Sequence, residues 1–224
     1  MLFVVPLGKK GSSGIPLITI YVCVACILVQ VFASTEADRL ALAFRPDQLD
    51  PLKMFTSVFT HADFWHITGN LFFFYCFART IETQLTAAGF VLAFVVFVLV
   101  TSLAYAATVD QPIPTLGLSG VVWGYMGMFL FRYPKDDINC GVWILWKVKT
   151  FEVPAFLFIL AFLAFDIAGY RSGSGGNINY AAHFSGFVAG ALYKLAFWNA
   201  FTTELPPPAK KRPVFGPATR GLRR

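Results

Sequence analysis

Six apolar stretches, each about long enough to cross a bilayer as a helix, follow one another along this 224-residue chain with polar links between them. They run approximately from Ile15 to Ala33, Phe64 to Thr80, Thr86 to Ala107, Leu116 to Phe131, Phe151 to Tyr170 and Tyr180 to Phe201. The expected fold is therefore an all-α polytopic membrane protein with six transmembrane helices. Composition points the same way: 57% of residues are hydrophobic and 13% charged, with a mean hydropathy of +0.64, whereas a soluble domain carries about 25% charge. Disorder and low complexity are excluded too, because 25 Phe, 5 Trp and 8 Tyr are spread over long runs.

The basic residues set the orientation. With both termini cytoplasmic, thirteen Lys and Arg fall in inside segments and four (Arg39, Arg45, Lys53 and Arg171) in outside ones, and Lys194 lies within the sixth span. Residues 1–14 are then a cytoplasmic N-terminal segment, 15–201 the six-span membrane domain, and 202–224 a basic, Pro-rich cytoplasmic tail, too polar to build a core and expected to be disordered. The first apolar stretch exceeds a signal-peptide core and is kept as a span. A transit-like N-terminus is not evident, which leans towards a bacterial inner membrane. The net charge of +6 is explained by topology and anionic lipid, so nucleic acid is not an expected partner. The Cys23–Cys26 CxxC is embedded in an apolar run and reads as inert.

Polar residues inside spans are costly and face a bundle interior or a water cavity. In this orientation His66 and Asn70, Ser119, and His183 each sit near the outer end of an inward-running helix, at one depth within a turn or two. Ser119 lies in the string Gly-Leu-Ser-Gly at a helix start, where unpaired backbone N–H groups can hold an oxyanion. Gly117, Gly120, Gly124 and Gly127 give span four one small-residue face, and His183, Gly186 and Gly190 give span six another. Close packing of these faces would bring His183 to Ser119 as base and nucleophile. By itself His183 reads as a buried histidine bonded to a carbonyl; the matched Ser119 favours the base. His66 and Asn70, one helical turn apart, offer donors for a developing oxyanion or for interhelical stability, and both roles can hold. His61 is expected to be structural, and Asp166 to be interfacial or paired with Arg171.

The strings FTHADFWHITGN, GLSG and AHFSGFVAG, in the second, fourth and sixth spans, resemble the rhomboid intramembrane serine proteases. The resemblance implies a Ser119–His183 catalytic dyad without a third carboxylate, and an oxyanion hole made by the Ser119 backbone N–H with His66 and Asn70. Gly117, Gly120, Trp123, Gly186 and Gly190 would support a water-filled cavity open to the outer side. Substrates would be transmembrane helices of other membrane proteins, cut near their outer ends where small or helix-destabilising residues let the strand unwind. Span five, with Phe156, Phe158, Phe162 and Phe165, resembles the family's lateral gate, although its aromatics equally suit an ordinary lipid-facing surface. Two positions depart from the family pattern. Leu52-Lys53 stands where many relatives have a Trp-Arg pair that anchors the first loop, and Trp123 where many have a Tyr packed on the histidine; an indole can also stack on imidazole.

The implied partners are transmembrane protein substrates and membrane lipid, with no cofactor, no metal and no assigned oligomeric state. A metalloprotease lacks its HExxH, and an intramembrane aspartyl protease lacks a second carboxylate beside Asp166. A transporter lacks paired broken helices. The remaining alternative is a catalytically silent rhomboid-like protein that binds membrane clients, against which the intact Ser119 and His183 argue.

Overall fold

The computed structural model describes residues 4–8, 14–144, 147–173 and 178–203. The tail beyond residue 203 lies outside the described residues. In chain order the elements are β1 (Val4–Gly8), α1 (Leu17–Phe32), α2 (Glu36–Leu42), α3 (Pro51–Ser57), α4 (Phe64–Glu82), α5 (Ala87–Thr108), α6 (Ser119–Arg132), β2 (Asp137–Ile144), β3 (Lys147–Pro154), α7 (Ala155–Ser172) and α8 (Tyr180–Phe201). The chain is mostly helical, and its six longest helices coincide with the six apolar stretches. By length and composition alone, α5 and α7 suffice to cross a membrane, and α1 is a shorter apolar helix.

The all-α expectation is corrected by a small antiparallel sheet in the order β1–β2–β3. β2 and β3 pair from Asp137 with Pro154 to Ile144 with Lys147, and β1 adds to the far edge through Val4 to Gly8. Its β-branched and aromatic residues suit a strand better than a polar link. The sheet also shortens the fifth span, because Phe151 to Pro154 belong to β3 and α7 starts at Ala155.

The link from α1 to α4 carries two short helices not anticipated from hydropathy. Thr35 and Asp38 form a reciprocal capping box that starts α2, and this bonding holds the Asp38 carboxyl below the usual carboxylate range. Asp50 accepts from the Leu52 N–H, with Pro51 at the first position of α3. Lys53 Nζ donates to the Ala41 carbonyl and Thr56 Oγ1 to the Leu42 carbonyl (2.8 Å), tying α3 to α2. The ammonium thus anchors the loop through a single backbone acceptor.

Proline at the start of α1 leaves that helix without a capping side chain of its own. Glu82, at the end of α4, supplies one: its carboxylate accepts from the Ile18 and Thr19 N–H groups (both 2.8 Å) and from Thr19 Oγ1 (2.6 Å). The core is aromatic. Tyr125 is fully buried, stacks on Phe90 (4.8 Å between centroids), meets Phe74 and Phe97 edge-on, and donates its hydroxyl to the Phe90 carbonyl at 3.0 Å.

Helices α6 and α8 share the most extensive interhelical contact, with backbones almost touching. A Cβ on Gly186 would lie 2.2 Å from the Gly120 carbonyl oxygen, and one on Gly127 2.2 Å from that of Phe187. Only glycine allows this approach. Helix α7 is the opposite case: Ala155, Phe158 and Ile159 are its buried residues, and it leans on α4 where Phe73 meets Phe158 and Phe162 (6.2 and 5.0 Å).

Candidate active site

The segment Thr115 to Leu118 delivers Ser119 and is pinned from several sides. Phe44 and Thr115 exchange a pair of backbone hydrogen bonds (both 2.9 Å), and the Gly117 N–H donates to the Ser57 carbonyl at 2.9 Å. His61 Nε2 accepts from the Leu118 N–H at 3.4 Å, and Asn179 Nδ2 donates to Thr115 Oγ1 at 3.0 Å. Asn179 also caps α8 by accepting from the Ala182 N–H at 3.0 Å, so one side chain ties the start of α8 to the approach to α6. Gly117 takes a φ of +118°, a conformation open mainly to glycine. Helix α6 then begins at Ser119 with no side-chain cap, which leaves first-turn N–H groups available around the serine.

Ser119 Oγ lies 2.9 Å from His183 Nε2, and His183 Nδ1 lies 2.6 Å from Asp166 Oδ2. A carboxylate can only accept, so Nδ1 carries the proton and Nε2 is left to accept from the serine hydroxyl. The indole of Trp123 covers the imidazole at 5.7 Å between centroids, tilted by 33°. These groups line a cavity of about 270 Å³ together with His66, Asn70 and Phe73.

On α4, Asp63 caps the helix by accepting from the His66 N–H at 2.8 Å, which holds its carboxyl below the usual range. His66 Nδ1 accepts from the Ala62 N–H at 3.3 Å, so Nε2 carries the hydrogen and points at Gly117: a Cβ there would be 2.9 Å from it. Asn70 Nδ2 donates to the His66 carbonyl at 3.0 Å, and the side chain borders the cavity. Three helices thus aim donors and a nucleophile at one volume.

The model of the Rhomboid domain family matches residues 48–200, more than half of the chain. The chain belongs to the rhomboid family. Rhomboid protein 1, mitochondrial, of Saccharomyces cerevisiae is 31% identical to it over 147 residues, 61% of this chain. This rhomboid chain spans only 39% of that relative's length. As a rhomboid-family member it is an integral membrane protein.

In this rhomboid, α6 and α8 bring Ser119, Gly120, Trp123, His183, Gly186 and Gly190 together, and Gly117 sits between Ser119 and His66. Asp166 is the residue that sequence reasoning misplaced. Expected at the interface or against Arg171, and outside a two-residue dyad, it turns inward to His183. A signal was available: it is a carboxylate inside an apolar span, about 9 Å short of the end of α7, at a depth comparable to that of His183 in α8. The span-five aromatics divide. Phe158 and Phe162 face α4, whereas Phe156 and Phe165 are exposed.

Proposed function

We propose that this rhomboid is an intramembrane serine endopeptidase that spans the membrane six times with both termini on the cytoplasmic side, and that cuts transmembrane helices of other membrane proteins near their outer ends. The observation that carries the reading is the 2.9 Å contact between Ser119 Oγ and His183 Nε2 at a cavity bordered by oriented donors. Ser119 attacks the scissile carbonyl as His183 takes its proton. The oxyanion that forms is met by the Ser119 N–H, the His66 Nε2–H and the free hydrogen of the Asn70 amide. His183 returns the proton to the leaving amine, and water releases the acyl-enzyme by the same route in reverse. An oriented donor of this kind is worth about 2.7–4 kcal/mol in a transition state.

The size of the cavity supports a locally unwound strand, and not an intact helix, as the substrate. A volume of about 270 Å³ accepts a few residues, whereas an α-helix with side chains is about 10–12 Å across. Small or helix-breaking residues near the outer end of a client lower the cost of unwinding there. Surrounding lipid and client transmembrane proteins are its partners. The lean of the sequence towards a bacterial inner membrane gains no support from the yeast relative, which by its name is mitochondrial.

Fluorophosphonate labelling of the detergent-solubilised protein tests the assignment. Wild type is expected to label, and Ser119→Ala and His183→Ala are not. A folded wild type that resists the probe, or a Ser119→Ala variant that labels equally, would overturn it in favour of a silent client-binding protein.

A further inference from the structure

We propose that Asp166 is a positioning residue for His183, making the site a Ser–His–Asp constellation assembled from three helices. The inference rests on the serine-protease reading and adds a member to it. The distance of 2.6 Å between Asp166 Oδ2 and His183 Nδ1 is that of a short charge-assisted hydrogen bond. Both side chains are largely withdrawn from solvent, with 12% of His183 and 16% of Asp166 exposed. The two residues lie on different helices, so helical geometry alone does not impose the contact. A carboxylate between Phe165 and Ile167 must find a partner in such surroundings, and the one it finds is the catalytic imidazole.

The chemistry follows from the two ring nitrogens. A neutral imidazole has two tautomers and can rotate about its Cβ–Cγ bond, and only one arrangement leaves Nε2 unprotonated towards Ser119. An acceptor held at Nδ1 selects that tautomer and fixes the ring plane, while Trp123 covers one ring face. When His183 takes the serine proton, the adjacent carboxylate stabilises the imidazolium, and the proton on Nδ1 stays where it is. Asp166 therefore acts through His183 and not on substrate. In chain order the residues run Ser119, Asp166, His183, one each from α6, α7 and α8.

The test uses the full chain in detergent, comparing wild type with Asp166→Asn, Asp166→Ala and Asp166→Glu. Three readouts are taken: the thermal midpoint, the rate of fluorophosphonate labelling and the ¹⁵N NMR signature of the His183 tautomer. Asp166→Asn, nearly isosteric, is expected to keep the thermal midpoint near that of wild type, to lose about 10²-fold or more in labelling rate, and to lose the Nδ1–H form as the dominant tautomer. Asp166→Glu is expected to recover part of the rate. Labelling within about twofold of wild type in both the Asn and Ala variants would overturn the inference. So would slow labelling with the Nδ1–H tautomer undiminished in both, which would make Asp166 a staple between helices. A wild type that does not label, but whose tautomer depends on Asp166, would sink the protease reading while supporting the Asp166–His183 coupling.

Discussion

Gly190 approaches α6 so closely that a Cβ built on it would sit 1.9 Å from the Gly124 carbonyl oxygen. The obstructing atom is backbone, so no side chain can swing away to relieve the overlap. Gly190→Ala is expected to push α8 off α6, to destabilise the protein by about 1–3 kcal/mol, and to reduce labelling of Ser119 at least tenfold as its distance to His183 grows. Gly69→Ala is the control for stability alone, since nothing lies within 4 Å of its Cβ position and alanine favours a helix by roughly 0.5–1 kcal/mol, whereas its place on the cavity wall excludes it as a control for labelling. Thermal midpoints in one detergent check both signs, with labelling rates for Gly190→Ala alongside; a Gly190→Ala protein as stable and reactive as wild type would refute the argument.

A second expectation concerns Gly117. Any side chain there is strained at φ +118°, and a methyl would also meet His66 Cε1 at 2.8 Å. His66 must shift, and its Nε2–H with it. Gly117→Ala is expected to lower turnover of a client by about 10²-fold, with little change in the apparent affinity for that client, because a misaimed oxyanion donor is missed mainly in the transition state. Equal losses in turnover and affinity would show that His66 binds the ground state instead.

His61 links stability to pH. It is fully buried beneath the segment that delivers Ser119, and burial, with the neighbouring His66 a lesser cause, pushes its imidazole down to about 3 from an ordinary value of 6.5. The unfolded chain therefore takes up a proton near pH 6.5 that the folded chain refuses until about pH 3. This contribution is fully present above pH 6.5 and is lost as pH falls through the window, with a slope of up to about 1.4 kcal/mol per pH unit. Thermal midpoints between pH 7.5 and about 5 should fall more steeply for wild type than for His61→Gln. Parallel slopes would remove His61 from the account.

Ser119, His183 and the glycines between the two helices were legible because a repeat of three and four residues encodes one face of a helix, whatever surrounds it. Asp166 was not. Helix α7 is apolar on nearly every side, so periodicity gives no hint of its rotation, and only the packed bundle decides whether residue 166 looks outward to Arg171 or inward to His183. The helices α2 and α3 were concealed differently: their starting signals, Thr35 with Asp38 and Asp50 with Pro51, were in the sequence, but hydropathy ignores caps. The sheet is hidden from hydropathy because basic residues between the fourth and fifth apolar stretches make that link polar on average, while the β-branched and aromatic residues among them carry the strand signal.

The uneven grip on the helices has a mechanical consequence. The spacing of Ser119 and His183 is built into touching backbones, whereas Asp166 rides on α7, which is held by few buried residues and a seam of phenylalanine rings against α4. Swinging α7 aside to admit a polypeptide would withdraw the carboxylate while leaving in place the backbones that carry Ser119 and His183. On the proposed role of Asp166, such a displacement would act like a safety catch: the imidazole would lose the partner that orients it while the helix is out, and regain it when the helix returns.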